Sequence, residues 1–130
     1  VFVVTEVQPI VVPGASPING HYCHAVVHGG VVYVSGQLGR GPGMSDEHAG
    51  DMRSQCRRSL ESLAAILAGV GSDMSRLLKV TIYIPNIEHW PVVDEEYRRA
   101  LGTHRPARAI VPVGRLHFGA LIEIDAIAAL

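Results

Sequence analysis

The chain has 130 residues, 48% of them hydrophobic and 18% charged, with eleven basic and twelve acidic side chains for a net charge of −1. This composition excludes a disordered chain, and the balanced charge argues against a generic nucleic-acid binder, which needs a basic footprint. No apolar run approaches a membrane span, no signal peptide is visible, and two cysteines are too few for a disulfide scaffold. The expectation is a single domain over residues 1–130, cytoplasmic, with free thiols at Cys23 and Cys56. A mean hydropathy of +0.23 is high for a domain with so much surface relative to its volume, and it points to self-association.

In chain order, the valine-rich segment 1–12 reads as a strand, broken by Pro13-Gly14-Ala15-Ser16-Pro17. The runs His24-Ala25-Val26-Val27-His28 and Val31-Val32-Tyr33-Val34-Ser35 flank Gly29-Gly30 and predict a tight hairpin, because such turns need positive φ. Residues 36–50 carry five glycines and no apolar period, so they read as a long loop at a strand end. Over 51–70, Met52, Cys56, Leu60, Leu63, Leu67 and Val70 form one stripe at helical spacing, with Asp51 suited to the start and Gly71 to the stop.

Residues 79–84 alternate and predict a strand ended by Pro85. A second helix is expected from about Trp90-Pro91, with Val93, Tyr97 and Leu101 on one face and Gly102 as its stop. Two strands follow, 107–113 with Pro112 marking an edge or a bulge, and 121–128. The order predicts an α+β two-layer sandwich, a mixed sheet covered on one face by two helices. The other sheet face, expected to be rich in valine and isoleucine, calls for a second copy of the chain as cover.

Few residues carry an unambiguous chemical signature. His21, His24 and His28 cluster with Cys23, but strand alternation splits the histidines between two faces and nothing completes a tetrahedral set, so no metal is expected. No nucleophile elbow occurs, and the glycines of 36–43 form no phosphate fingerprint. Arg108 opens a strand, where its fork can meet a carboxylate or form a surface salt bridge. Asp125, set in an apolar strand, is paired, solvated at an edge, or functional.

Four stretches together resemble the Rid/YjgF family of small imine and enamine deaminases, whose members have also been described as translation-inhibiting ribonucleases. They are Tyr22-Cys23-His24-Ala25-Val26-Val27, Val32-Tyr33-Val34-Ser35-Gly36-Gln37-Leu38, Pro106-Ala107-Arg108-Ala109 and Ile122-Glu123-Ile124-Asp125-Ala126-Ile127-Ala128. The resemblance implies a chorismate-mutase-like fold, a homotrimer, and active sites in clefts between subunits. It places the carboxylate-binding arginine on Arg108, the aromatic tyrosine on Tyr22, the strand-end glycine of the pocket on Gly36 and the acidic residue beside the attacking water on Asp125. A pocket-mouth asparagine is replaced by Asp94, a glutamine after the tyrosine by His24, and a cysteine after the arginine by Ile110.

The leading expectation is hydrolytic deamination of a small carboxylate-bearing enamine or imine, with ammonia released. Arg108 would hold the carboxylate and Asp125 would move the proton, with no metal and no organic cofactor. The alternatives are a pathway enzyme acting on a larger imine or an aminomuconate-type acid, and a non-catalytic trimer that binds a small ligand. A nucleic-acid or membrane partner is not expected, and a ribonuclease lacks a basic track here.

Overall fold

The computed structural model describes residues 6–130. Part of the strand expected over 1–12 lies outside them, and its described part forms β1 (Gln8–Ile10). Then come β2 (Ala25–His28), β3 (Val31–Leu38), the single-turn helix α1 (Asp46–Ala49) and the long helix α2 (Met52–Gly69). β4 (Leu77–Ile84), α3 (Trp90–Leu101), β5 (Ala107–Pro112) and β6 (Glu123–Ala129) complete the order.

The six strands form one mixed sheet in the order β1-β2-β3-β6-β4-β5. All neighbours are antiparallel except β4 and β5, which run parallel, the chain returning through α3. Gly29 and Gly30, at φ 59° and 78°, make the turn that pairs His28 with Val31. α2 begins where the Asp51 carboxylate accepts from the Ser54 N–H, and its stripe Met52, Cys56, Leu60, Leu63 and Leu67 is buried. Pro91 sits in the first turn of α3, which presents Val93, Tyr97 and Leu101 to the same core.

Alternation decides what each sheet face carries. Val32, Val34, Val80, Ile82, Ile124 and Ala126 all point under the helices and are buried. The opposite face keeps part of the expected aliphatic surface in Val26, Val31, Val111 and Ile127, and it also carries Tyr33, Thr81, Tyr83, Glu123 and Asp125, so that it is a mixture of aliphatic, aromatic and polar groups. No helix among the described residues is long and apolar enough to cross a membrane.

The segment expected as a long loop over 36–50 is more ordered. β3 continues to Leu38, and α1 is capped by Ser45, whose hydroxyl accepts from the His48 N–H. Gly39 is a close-approach glycine: a Cβ there would lie 2.6 Å from Gln55 Cβ and 2.7 Å from Ile122 Cγ2. Arg58 on α2 donates to the carbonyls of Gly39, Ala49 and His48, and Arg40 donates to the Met44 carbonyl and pairs with Asp46 at 2.8 Å. Arg58 thus ties the segment to α2, and Arg40 closes it on itself.

Candidate functional site

A cavity of about 550 Å³ opens where the end of β3 meets the start of β6. Its wall includes Tyr22, Ser35, Gly36, Glu123, Phe118 and Met44. Glu123 is the first residue of β6 and is paired in register with Leu38. Its carboxyl lies directly against Gly36, where a Cβ would come within 2.8 Å of Oε2. The glycine leaves the space in which that carboxyl rests. Burial pushes the Glu123 carboxyl above the ordinary glutamate range, the negative charge of Asp125 adds to the rise, and His117 opposes it. A carboxyl so placed binds its proton more readily than a free glutamate, which suits a group that both gives and takes protons.

The rim is built by loops. Tyr22 is half exposed and accepts at its hydroxyl from the Asn19 N–H, 3.2 Å away. It precedes β2, whereas the resemblance implies a tyrosine of the first hairpin. Phe118 also lines the cavity, with its ring centroid 3.7 Å from that of His117. It is the non-glycine residue with positive φ among the described residues, at 59°. An aromatic residue held in the left-handed region costs about 1–2 kcal/mol, and such outliers gather at ligand sites.

Arg108 lies elsewhere on the chain. In β5 it stands beside Val80 of β4, on the helix-covered side, whereas Glu123 stands beside Tyr83 on the open side. Arg108 Nη1 donates to Asp94 at 2.9 Å, and the guanidinium lies 4.8 Å from the ring centroid of Tyr97 and 5.6 Å from that of Trp90. Asp94, Arg98, His104, Arg105 and Arg108 line a second cavity of about 830 Å³. One edge of the Arg108 fork is engaged by Asp94, and the guanidinium is partly open to that second cavity.

The expected site residues therefore divide into groups. Tyr22 and Gly36 line the first cavity, and Asp94 and Arg108 the second. Asp125 lines neither; its Oδ2 accepts from the Tyr83 hydroxyl at 2.8 Å. That bond raises the Tyr83 phenol above its usual value. His24 is buried, with both ring nitrogens bonded to backbone, and Ile110 packs partly buried against the core beside Ile82. Among the described residues no group of His, Cys, Asp or Glu is arranged to hold a metal ion, and Cys23 and Cys56 are free thiols.

Glu123, His117, Phe118 and Met44 are pocket residues that sequence reasoning passed over. Glu123 and Asp125 share a face by alternation, so the period alone could not choose between them. The choice follows from the pairing of Leu38 with Glu123, which sets one carboxylate and not the other beside Gly36.

A mixed sheet covered on one face by two helices, with a cavity at the end of β3 and another beside α3, defines a two-layer α+β protein of the Rid/YjgF type. The chain belongs to that family: the family model described as Endoribonuclease L-PSP matches residues 14–130. The human 2-iminobutanoate/2-iminopropanoate deaminase is 32% identical over 89% of this chain and 82% of its own length. A Rid-family protein of Yersinia pestis, YyfA, superposes with a TM-score of 0.87 at 33% identity, covering 96% of this chain and 100% of its own. E. coli TdcF, solved with bound serine, gives a TM-score of 0.85 at 29% identity over 95% of this chain and 98% of its own.

Proposed function

We propose that the protein hydrolyses a small 2-imino acid, or its enamine tautomer, to the 2-oxo acid and ammonia, at a site completed by a second copy of the chain. The observation that carries this reading is Glu123, a carboxyl with its proton affinity raised by burial, resting on a glycine in an open cavity. Water adds to the carbon of the protonated imine while the Glu123 carboxylate takes one of its protons, which leaves a neutral carbinolamine. The Glu123 carboxyl then gives that proton to the carbinolamine nitrogen, the C–N bond breaks and ammonia leaves, and the carbinolamine hydroxyl passes its proton back to Glu123 as the carbonyl forms.

The substrate carboxylate needs a counter-charge, and Arg108 is the candidate. Its free edge can meet a carboxylate at two points, with Asp94, Tyr97 and Trp90 holding the other side. Because Arg108 and Glu123 lie on opposite faces of one sheet, a ligand of a few heavy atoms meets both only across a boundary between copies. A closed ring with a head-to-tail interface, the homotrimer of our expectation, brings the two different cavities together in that way. The relatives support the substrate class: the human protein is named for two small 2-imino acids, and TdcF was solved with serine.

A second reading, a larger imino acid, is favoured by the size of the cavity and by Phe118 and Met44 in its wall. The test is ammonia release from imines formed in place by an amino-acid oxidase, with alanine and with bulkier amino acids as precursors. Faster release than the buffer alone, lost in Glu123→Gln, is the expected result. Tight ligand binding with no acceleration for any imine would leave a binding protein and overturn the reading.

A further inference from the structure

His24 is 3% exposed, and its ring is spent entirely on the backbone of the loop that precedes it. Nδ1 lies 2.9 Å from the Val12 N–H, which can only donate, so Nδ1 accepts. Nε2 lies 2.7 Å from the Ser16 carbonyl, which can only accept, so Nε2 carries the hydrogen. The two bonds fix one tautomer and clip both ends of the segment 12–16, which the Ala15 N–H to Val12 carbonyl bond turns back on itself. The backbone of His24 is fixed too: its N–H donates to the Ile10 carbonyl and its carbonyl accepts from the Ser35 N–H.

What the clip holds is one side of the cavity. Ser16 Oγ donates to Gln37 Oε1 at 2.6 Å, Gln37 Nε2 donates to the Ser35 carbonyl at 3.0 Å, and Ser35 Oγ donates to the Cys23 carbonyl at 2.6 Å. Ser16, Ser35 and Gln37 all line the cavity, as does Tyr22, two residues before His24. A closed circuit of hydrogen bonds thus runs from His24 through Ser16 and Gln37 to Ser35 and back to Cys23, and the wall facing Glu123 is hung on it.

We propose that His24 is a positioning residue that sets Ser16 and Tyr22 against the ligand by latching the 12–16 segment through the Nε2–H tautomer of its imidazole. It touches no substrate. The proposal rests on the cavity being the deaminase site, but the latch itself is read without turnover. Loss of the ring leaves the Val12 N–H and the Ser16 carbonyl without partners in a partly buried place, which favours local opening.

Two variants of the full chain separate the possibilities. His24→Gln offers one acceptor and one donor, as the imidazole does; His24→Leu offers neither. Hydrogen exchange at the Val12 amide is expected to quicken about tenfold or more in His24→Leu, the scale of one buried polar group losing its partner, and to stay near wild type in His24→Gln. With 2-iminopropanoate formed in place, KM is expected to rise about tenfold in His24→Leu with kcat much less affected, and His24→Gln to restore it. If His24→Leu does not fold, the ring nitrogen resonances of the wild type still decide the tautomer. The proposal is overturned if Nδ1 carries the hydrogen, if Val12 exchange does not change, or if exchange quickens while KM stays at the wild-type value. Wild-type protein that accelerates no imine would defeat the deaminase reading alone, and the exchange and tautomer results would still judge the latch.

Discussion

Glu123 and Gly36 form one unit, and each predicts a different failure. Glu123→Gln is expected to lower kcat/KM for imine hydrolysis about 10²–10⁴-fold, the range of a positioned acid–base group. The same change is expected to stabilise the fold at neutral pH. The folded carboxyl binds its proton more tightly than the unfolded one, so wild-type stability is highest below the unfolded glutamate value. It falls as pH rises from there through the folded value, and Glu123→Gln removes that fall; thermal unfolding from pH 4 to 8 measures it. Gly36→Ala places a methyl group 2.8 Å from Oε2 and 2.9 Å from Cδ, so the carboxyl must move. Since displacements near 1 Å can cost about a hundredfold in rate, Gly36→Ala is expected to lose activity while melting close to wild type.

At the scale of elements, α2 and α3 are joined by a buried carboxylate. Glu96 is 2% exposed and receives Arg57 Nε at 2.8 Å and Arg53 Nη1 at 2.5 Å. The Arg57 hydrogen bonds, with those of Arg53, hold its carboxyl below the ordinary glutamate value against the opposing effect of burial. Its contribution to stability is therefore complete above the unfolded value and is lost as pH falls through the folded one. Wild type is expected to lose melting temperature below about pH 4.5 more steeply than Glu96→Gln, which starts lower and changes less. The elements themselves were largely legible in the sequence, because the α2 stripe, the Gly29-Gly30 turn and the Pro91 start of α3 are local signals that local physics obeys. The order of the strands was not, since nothing within β6 says that it lies between β3 and β4. The resemblance places the acidic residue on Asp125, and the pairing of Leu38 with Glu123, which nothing within β6 announces, sets Glu123 beside Gly36 instead. The Gly36–Gly50 stretch misled for a related reason: Gly39 packs closely on Gln55 of α2 and on Ile122, and Gly36 on Glu123 of β6, contacts distant in sequence.

At the scale of the molecule, the exposed face of the sheet and the separation of Arg108 from Glu123 have one explanation in the assembly we propose. Tyr33 is 46% exposed on the uncovered face and Val111 36%, beside the partly buried Ile127. Ile127→Glu, placing a charge in the middle of that face, is expected to give a folded monomer by sedimentation, with normal far-UV circular dichroism and no deaminase activity. Arg108→Ala is expected to lose about 2–4 kcal/mol of transition-state stabilisation, and Arg108→Lys most of that, because an ammonium does not reproduce the fork.

The shared site is tested most directly by mixing two inactive proteins. Arg108→Ala and Glu123→Gln are each expected to form inactive trimers. Unfolded together and refolded as mixed trimers, they generate interfaces in which Arg108 comes from one variant and Glu123 from the other. With random assembly of equal amounts, about a quarter of the interfaces carry both native residues, and about a quarter of wild-type activity is expected to return. Mixed trimers, shown to have formed by mass, that remain as inactive as their parents would contradict a site built from Arg108 of one copy and Glu123 of the next.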